Sequence, residues 1–243
     1  MTSDSGIEKE RKLQFDIARQ PDNVTCGPTC LHALYQYFGD DIPLHRVIAE
    51  TSFLEQGGTL GALLACHALR RGYDALIYTF DMQMFDPTWF RPGGPNLAER
   101  IQCQMEAKES SRLRIASAAY LDFLKLGGRL RMEDMTATLI RKYLKRSRPI
   151  LAGLSATYLY QEPRESNPGS QPDDVRGYPQ GHFVVLCGYS EIDRRVLVAD
   201  PMQPNPFAKD QQKYEVALDR LICAIMLGIV TYDANLVILQ PKH

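Results

Sequence analysis

From Phe183 to Leu186 the chain is uninterrupted apolar residue, and the wider run Gly181-His182-Phe183-Val184-Val185-Leu186-Cys187-Gly188-Tyr189 has one titratable imidazole at its start. The polar segment Ser190 to Arg194 follows, and Arg195-Val196-Leu197-Val198-Ala199 then resumes a strand pattern that ends at Asp200-Pro201. Two apolar runs with a short polar break predict an antiparallel hairpin, His182 to Tyr189 and Arg195 to Ala199. Such a hairpin has to be packed against further layers, so the rest of the chain must supply them.

Upstream, the periodicity is helical. Leu31, Leu34, Tyr35 and Phe38 predict a helix over Pro28 to Phe38, with Pro28 in its first turn and Gly39 at its end. Leu60, Leu63, Leu64, Ala68 and Leu69 predict a second over Thr59 to Arg71, stopped by Gly72, and Ala75 to Phe80 reads as a short strand. Residues 81–132 read as an inserted helical lobe: an irregular Met-, Pro- and Gly-rich stretch, then helices near Leu97 to Lys108 and Ser111 to Leu126. Further on come a helix over Met135 to Lys145, a strand over Pro149 to Leu154 and a Pro/Gly/Asn-rich loop from Glu162 to Gly181. Val216 to Leu227 is helix-like and Val237 to Leu239 a closing strand. The sum is an α+β protein, helices first and an antiparallel sheet after them. Residues 1–13 read as a disordered tail, and 14–243 as one domain with its insertion at about 81–132.

Charge and composition narrow the partners. With 28 basic and 29 acidic residues the formal net charge is -1, so no overall field draws in nucleic acid or an anionic membrane. The local basic run Arg141-Lys142 and Lys145-Arg146 reads as a solvated helix face. Met1 to Lys12 lacks the apolar stretch of a signal peptide. Leu221 to Val230 is about half a bilayer span and is flanked by Asp219, Arg220 and Asp233. It reads as a buried core helix running into a strand, so neither membrane insertion nor export is expected, and the location expected is cytoplasmic. The six cysteines read as free thiols. Cys26 and Cys30 are four apart, Cys66 adjoins His67, and no Cys-x2-Cys pair occurs, so no metal site is expected.

The chemistry concentrates in two segments. In Gln20-Pro21-Asp22-Asn23-Val24-Thr25-Cys26-Gly27-Pro28, Cys26 stands at the start of a predicted helix, where amide dipoles favour a thiolate. Gly27 would let the backbone approach a substrate, and Cys30, one turn deeper, reads as a small buried hydrophobe. Gln20 carries an amide donor that can complete an oxyanion hole with the Cys26 N–H. In the second segment His182 opens a strand next to a loop. The hairpin returns Asp200 to its neighbourhood, where a carboxylate fixes the imidazole tautomer and favours the charged ring.

These residues resemble a known family. Gln-x5-Cys-Gly-Pro before a helix, then Gly-His-Phe-Val-Val-Leu-x-Gly-Tyr, a turn and Val-x-Val-Ala-Asp-Pro, is similar to the papain-like cysteine peptidases that process double-glycine leaders of bacteriocins. Gly57-Gly58-Thr59-Leu60 through Gly72-Tyr73 resembles that family's second helix, and Arg148 to Leu154 the strand before the histidine hairpin. The resemblance implies a papain-like fold and a bacterial thiol protease with Cys26 as nucleophile, His182 as base, Asp200 as orienter and Gln20 at the oxyanion, needing no cofactor. Transporter-fused members carry membrane spans and a nucleotide-binding domain that this sequence lacks, so a stand-alone member is implied. Thr25 stands where many members have Asp. The reaction expected is hydrolysis of a peptide or isopeptide bond in a peptide or protein. Transpeptidation or another acyl transfer, amide hydrolysis of a small molecule, and a non-catalytic binding module remain open. In the loop before His182, Arg164 and Arg176 are candidates for receiving an acidic peptide.

Overall fold

In the computed structural model, which describes residues 10–54, 57–166, 171–208 and 211–242, the chain opens on strand β1 (Glu10–Lys12) and helix α1 (Cys26–Tyr37). Helices α2 (Leu44–Glu50) and α3 (Gly61–Arg70) follow, then strand β2 (Tyr73–Thr79). Helices α4 (Leu97–Ala107) and α5 (Ser111–Lys125) lead to strand β3 (Arg129–Arg131), helix α6 (Ala137–Leu144), strand β4 (Ile150–Ser155) and the short helix α7 (Ala156–Tyr160). The last stretch holds β5 (Gly181–Ser190), β6 (Arg195–Ala199), β7 (Lys213–Ala217), α8 (Leu218–Leu227) and β8 (Asn235–Pro241).

Helix α1 ends as its sequence demands. Gly39 takes φ +79°, its N–H donates to Gln36 O and that of Asp40 to Tyr35 O, which satisfies carbonyls the helix leaves open. Gly72 does the same for α3 at φ +88°. Along the sheet the order is β3-β2-β8-β4-β5-β6-β7, with β1 pairing the far half of β5. Only β2 and β3 run parallel; every other described pair is antiparallel. β4 and nearly all of β5 are buried, as the apolar runs in their sequences require of central strands.

One irregularity positions the site. Between β5 and β6 the pairing shifts at Cys187: Gly188 faces Leu197, but Leu186 faces Val198 and Val185 faces Ala199. Side chains alternate along a strand, so a one-residue shift exchanges the faces that two strands share. Past the bulge, Asp200 lies opposite Val184 and on the same sheet face as His182. With the outer register continued unbroken, the two would point to opposite faces.

Several expectations are corrected. The tail expected over 1–13 is ordered by residue 10, because Glu10–Lys12 pairs with Gly188–Ser190 and Leu13 is buried; residues 1–9 lie outside the described residues. The 81–132 segment is not wholly helical, since Arg129–Arg131 adds a parallel strand to β2. The apolar run Leu221–Val230 is no buried core helix: Leu221, Ala224 and Ile225 face inward, while Met226, Leu227 and Val230 are 42%, 41% and 45% exposed. The helix expected from Val216 starts two residues later, after β7. Helix α2 and strands β3 and β7 had no counterpart in the sequence reading.

Candidate active site

Helix α1 begins at Cys26 without any side-chain cap. Its approach is set by Asp22, whose Oδ1 accepts from Val24 N at 2.9 Å. The first turn of a helix presents unpaired N–H groups and positive potential, here beside a half-buried thiol. Gly27 is confined by the protein rather than opened to a substrate: a Cβ there would stand 2.7 Å from Thr59 Cγ2 and 3.2 Å from the Phe183 ring. Its missing side chain lets α1 settle against the residues that lead into α3 and against β5. One turn on, the buried Cys30 thiol donates to Phe183 O at 3.2 Å, and burial pushes its pKa well up, as befits an inert core cysteine.

His182 and Asp200 are both buried, and His182 Nε2 stands 2.8 Å from Asp200 Oδ1. Cys26 also acts on the imidazole and favours its charged form. Asp200 takes Nε2, so Nδ1 is the ring nitrogen left to serve a thiol. Burial is the strongest influence on the ring and opposes its charge. The charges of Asp200 and Cys26, with the hydrogen bond to Asp200, outweigh it and push His182 up to about 10.

Asp200 is held by more than the histidine. Oδ1 also accepts from Met202 N at 2.9 Å, and Oδ2 accepts from Tyr214 O–H at 2.8 Å and from Tyr160 O–H. Both carboxylate oxygens are thus doubly bonded to donors. Burial favours the neutral acid, but His182 and these donors hold the pKa below the usual carboxylate value. Phe207 packs edge-on to both tyrosines, at centroid distances of 5.5 and 5.2 Å, and closes the far side. Tyr160 lies on a five-residue helix and Tyr214 on a five-residue edge strand, elements too short to announce themselves in the sequence.

Gln20 is tied to this centre through its backbone, whose N–H donates to Pro201 O at 2.9 Å, one residue past Asp200. Its side-chain Nε2 donates to Asp22 O at 2.8 Å, which uses one of the two amide hydrogens and leaves the second. Cys26, His182 and Asp200 converge; Gln20 flanks them with its amide partly engaged.

Arg164 and Arg176 are spoken for. Arg164 donates to the carbonyls of Asp174 and Val175, and Arg176 pairs with Asp173 at 2.9 Å. Both brace their own loop, with Arg176 in an exposed position. A third missed residue is Asp233, which sequence placed only as a flank of an apolar run. A Cβ on Gly181 would come within 2.7 Å of Asp233 Oδ2, while its buried Oδ1 has no hydrogen-bond partner. Burial pushes this carboxyl up to about 8. Among the described residues no group of three or more His, Cys, Asp or Glu side chains is placed to hold a metal ion, and no helix is long and apolar enough to cross a membrane.

Comparison with known proteins agrees with the resemblance drawn from the motifs. The sequence model of the Peptidase_C39 like family matches residues 116–219, a span that holds His182 and Asp200 but not Gln20 or Cys26. No curated protein matches the sequence significantly. Among solved structures, a Bacillus anthracis protein assigned as a C39-like peptidase superposes with TM-score 0.51 at 12% identity, over 96% of this chain and 98% of that one. A double-glycine-motif protease from an AMS/PCAT transporter, solved with its leader peptide, gives TM-score 0.46 at 12% identity, over 96% and 95% of the two chains. Xylellain, a cysteine protease from Xylella fastidiosa, gives 0.46 at 12% identity, over 97% and 87%. The fold is the papain-like α+β fold of the C39-like peptidases.

Proposed function

We propose that the chain is a cysteine peptidase that hydrolyses a peptide or isopeptide bond through Cys26, His182 and Asp200 by way of an acyl-thioester. The observation that carries this reading is the buried His182–Asp200 pair, Nε2 to Oδ1 at 2.8 Å, on which the thiol at an uncapped helix start also acts. A cysteine beside an imidazole that a buried carboxylate orients is the pairing by which a sulfur acts as nucleophile.

The Cys26 sulfur attacks the substrate carbonyl carbon, and the oxygen takes the negative charge. The Cys26 backbone N–H and the second Nε2 hydrogen of Gln20 receive that oxyanion. His182 Nδ1 gives its proton to the leaving nitrogen, the C–N bond breaks, and an amine departs. Water then yields a proton to Nδ1 and attacks the thioester. The acid product leaves and the thiolate–imidazolium pair is restored. Asp200 holds the ring by Nε2 throughout, so Nδ1 alone exchanges protons. Support for a peptide substrate comes from the leader peptide bound by the transporter protease named above.

The test is incubation with a defined peptide mixture, with products read by mass spectrometry, for the wild type and Cys26→Ala. Cleavage that disappears in the variant is expected. Equal cleavage by Cys26→Ala would remove the proposed nucleophile and with it the mechanism.

A further inference from the structure

The basic run on α6, which reads from sequence as a solvated face, lies beside a cavity of about 200 Å³ at the end of the sheet remote from Cys26. Three separate segments bring positive charge to it. Lys142 comes from α6, and Arg146 from the turn that follows the helix. Arg129 and Arg131 come from alternate positions of β3, and Arg148 from the turn before β4, where Ser147 takes φ +54°. Pairing sets their direction: Arg129 lies opposite Leu76 of β2, and Leu76 opposite Ile238 of β8, so Arg129 shares a sheet face with the cavity's apolar floor. Tyr143 closes that floor from α6.

The charge is not compensated. Among the described residues the side chains of Arg129, Arg146 and Arg148 have no ion pair and no hydrogen bond. Arg46, Arg71, Arg141, Arg176, Arg194 and Arg195 each pair with an acid. Arg131 pairs with Glu133 at 3.2 Å, and Asp74, the one acid lining the cavity, stands 3.7 Å from Lys242. A chain whose formal net charge is -1 has acids enough to neutralise five cations, yet one acid lines the space they share. Like charges gathered around a concavity repel one another and favour a bound anion. The guanidinium fork matches phosphate oxygens two at a time, and an ammonium adds a point charge. The cavity is smaller than the roughly 300 Å³ at which pockets for drug-sized molecules begin. It suits one or two phosphoryl groups held in depth, with the apolar floor beneath.

We propose that this cavity binds a phosphate-bearing small molecule through its phosphoryl groups, with Arg129, Arg131, Lys142, Arg146 and Arg148 as the ligating cations. Pyrophosphate is the probe. Calorimetric titration at fixed ionic strength is run on the wild type and on Arg129→Gln/Arg146→Gln, whose positions are both exposed. One-site binding is expected, at least about tenfold tighter than sulfate and weakened about tenfold or more in the variant. Iodoacetamide labelling of Cys26 should be the same in both proteins, which shows the variant folded. If the pair of changes upsets folding, Arg146→Gln alone replaces it and should still weaken binding. No pyrophosphate binding, binding unchanged by the substitutions, or sulfate held equally well would overturn the proposal. So would a single-stranded oligonucleotide that binds many-fold tighter than pyrophosphate and loses affinity steeply with salt, since that marks an extended polyanion surface.

Discussion

His182 takes its character from Asp200 and Cys26, and its titration follows from them. Its folded pKa, about 10, lies above the ordinary 6.5, so the stability it contributes is fully present below about pH 6.5 and is lost as pH rises through 10. The charged ring should likewise sustain activity to high pH. The alkaline limb of kcat/KM is expected near pH 10 in the wild type and at lower pH in Asp200→Asn, which removes the nearest negative charge; a pH–rate profile checks both. Tyr214→Phe takes one donor from the buried Oδ2 of Asp200. The expected cost is about 1.5–3 kcal/mol in denaturant unfolding, the range for a hydrogen bond to a charged group. Asp233 runs the other way. Its folded pKa of about 8 lies above the ordinary 3.8, so the folded state keeps a proton the unfolded chain gives up, and stability falls as pH climbs from about 4 to about 8. Asp233→Asn should therefore melt higher than the wild type at pH 8, by roughly 5 °C or more, and match it near pH 4.

At the scale of elements, the bulge at Cys187 decides which face Asp200 occupies. Deleting Cys187 would extend the outer register and turn Asp200 away from His182, whereas Cys187→Ala keeps the residue count. The rate of Cys26 alkylation should collapse in the deletion and survive in the substitution, with circular dichroism confirming that both fold. Here the limits of the sequence are plain. Gly39 and Gly72 mark helix ends by chemistry that needs no partner, so α1 and α3 were legible. The hairpin and the central strand β4 were legible because burial on both faces leaves an apolar run. β3 was not, because three residues with two arginines carry no strand signal and are ordered by pairing with β2. β7 alternates buried Tyr214 and Val216 with outward residues, but it is an edge strand of five residues running straight into α8. The bulge itself leaves no mark in the residues around Cys187.

Across the molecule, one sheet face carries chemistry at both ends. His182, Asp200 and Tyr214 gather where β5 starts and β6 ends, and the basic cavity lies past the opposite end of β4. Cys26, His182 and Asp200 could be named as candidates from sequence because each belongs to a compact local motif, the Cys-Gly-Pro helix start or the two ends of the hairpin. The tyrosine support of Asp200 and the cation cluster were not, since each is assembled from segments far apart in the chain. Whether Cys26 and His182 act as a pair is read from alkylation. All six cysteines are free, and the exposed Cys103 and Cys223 serve as references within the same molecule. At pH 6, with iodoacetamide and peptide mapping, Cys26 should label faster than either reference although it is less exposed, and His182→Ala should abolish that advantage. Cys26 labelling no faster than Cys103 and Cys223, or an advantage that persists without His182, would contradict the pair.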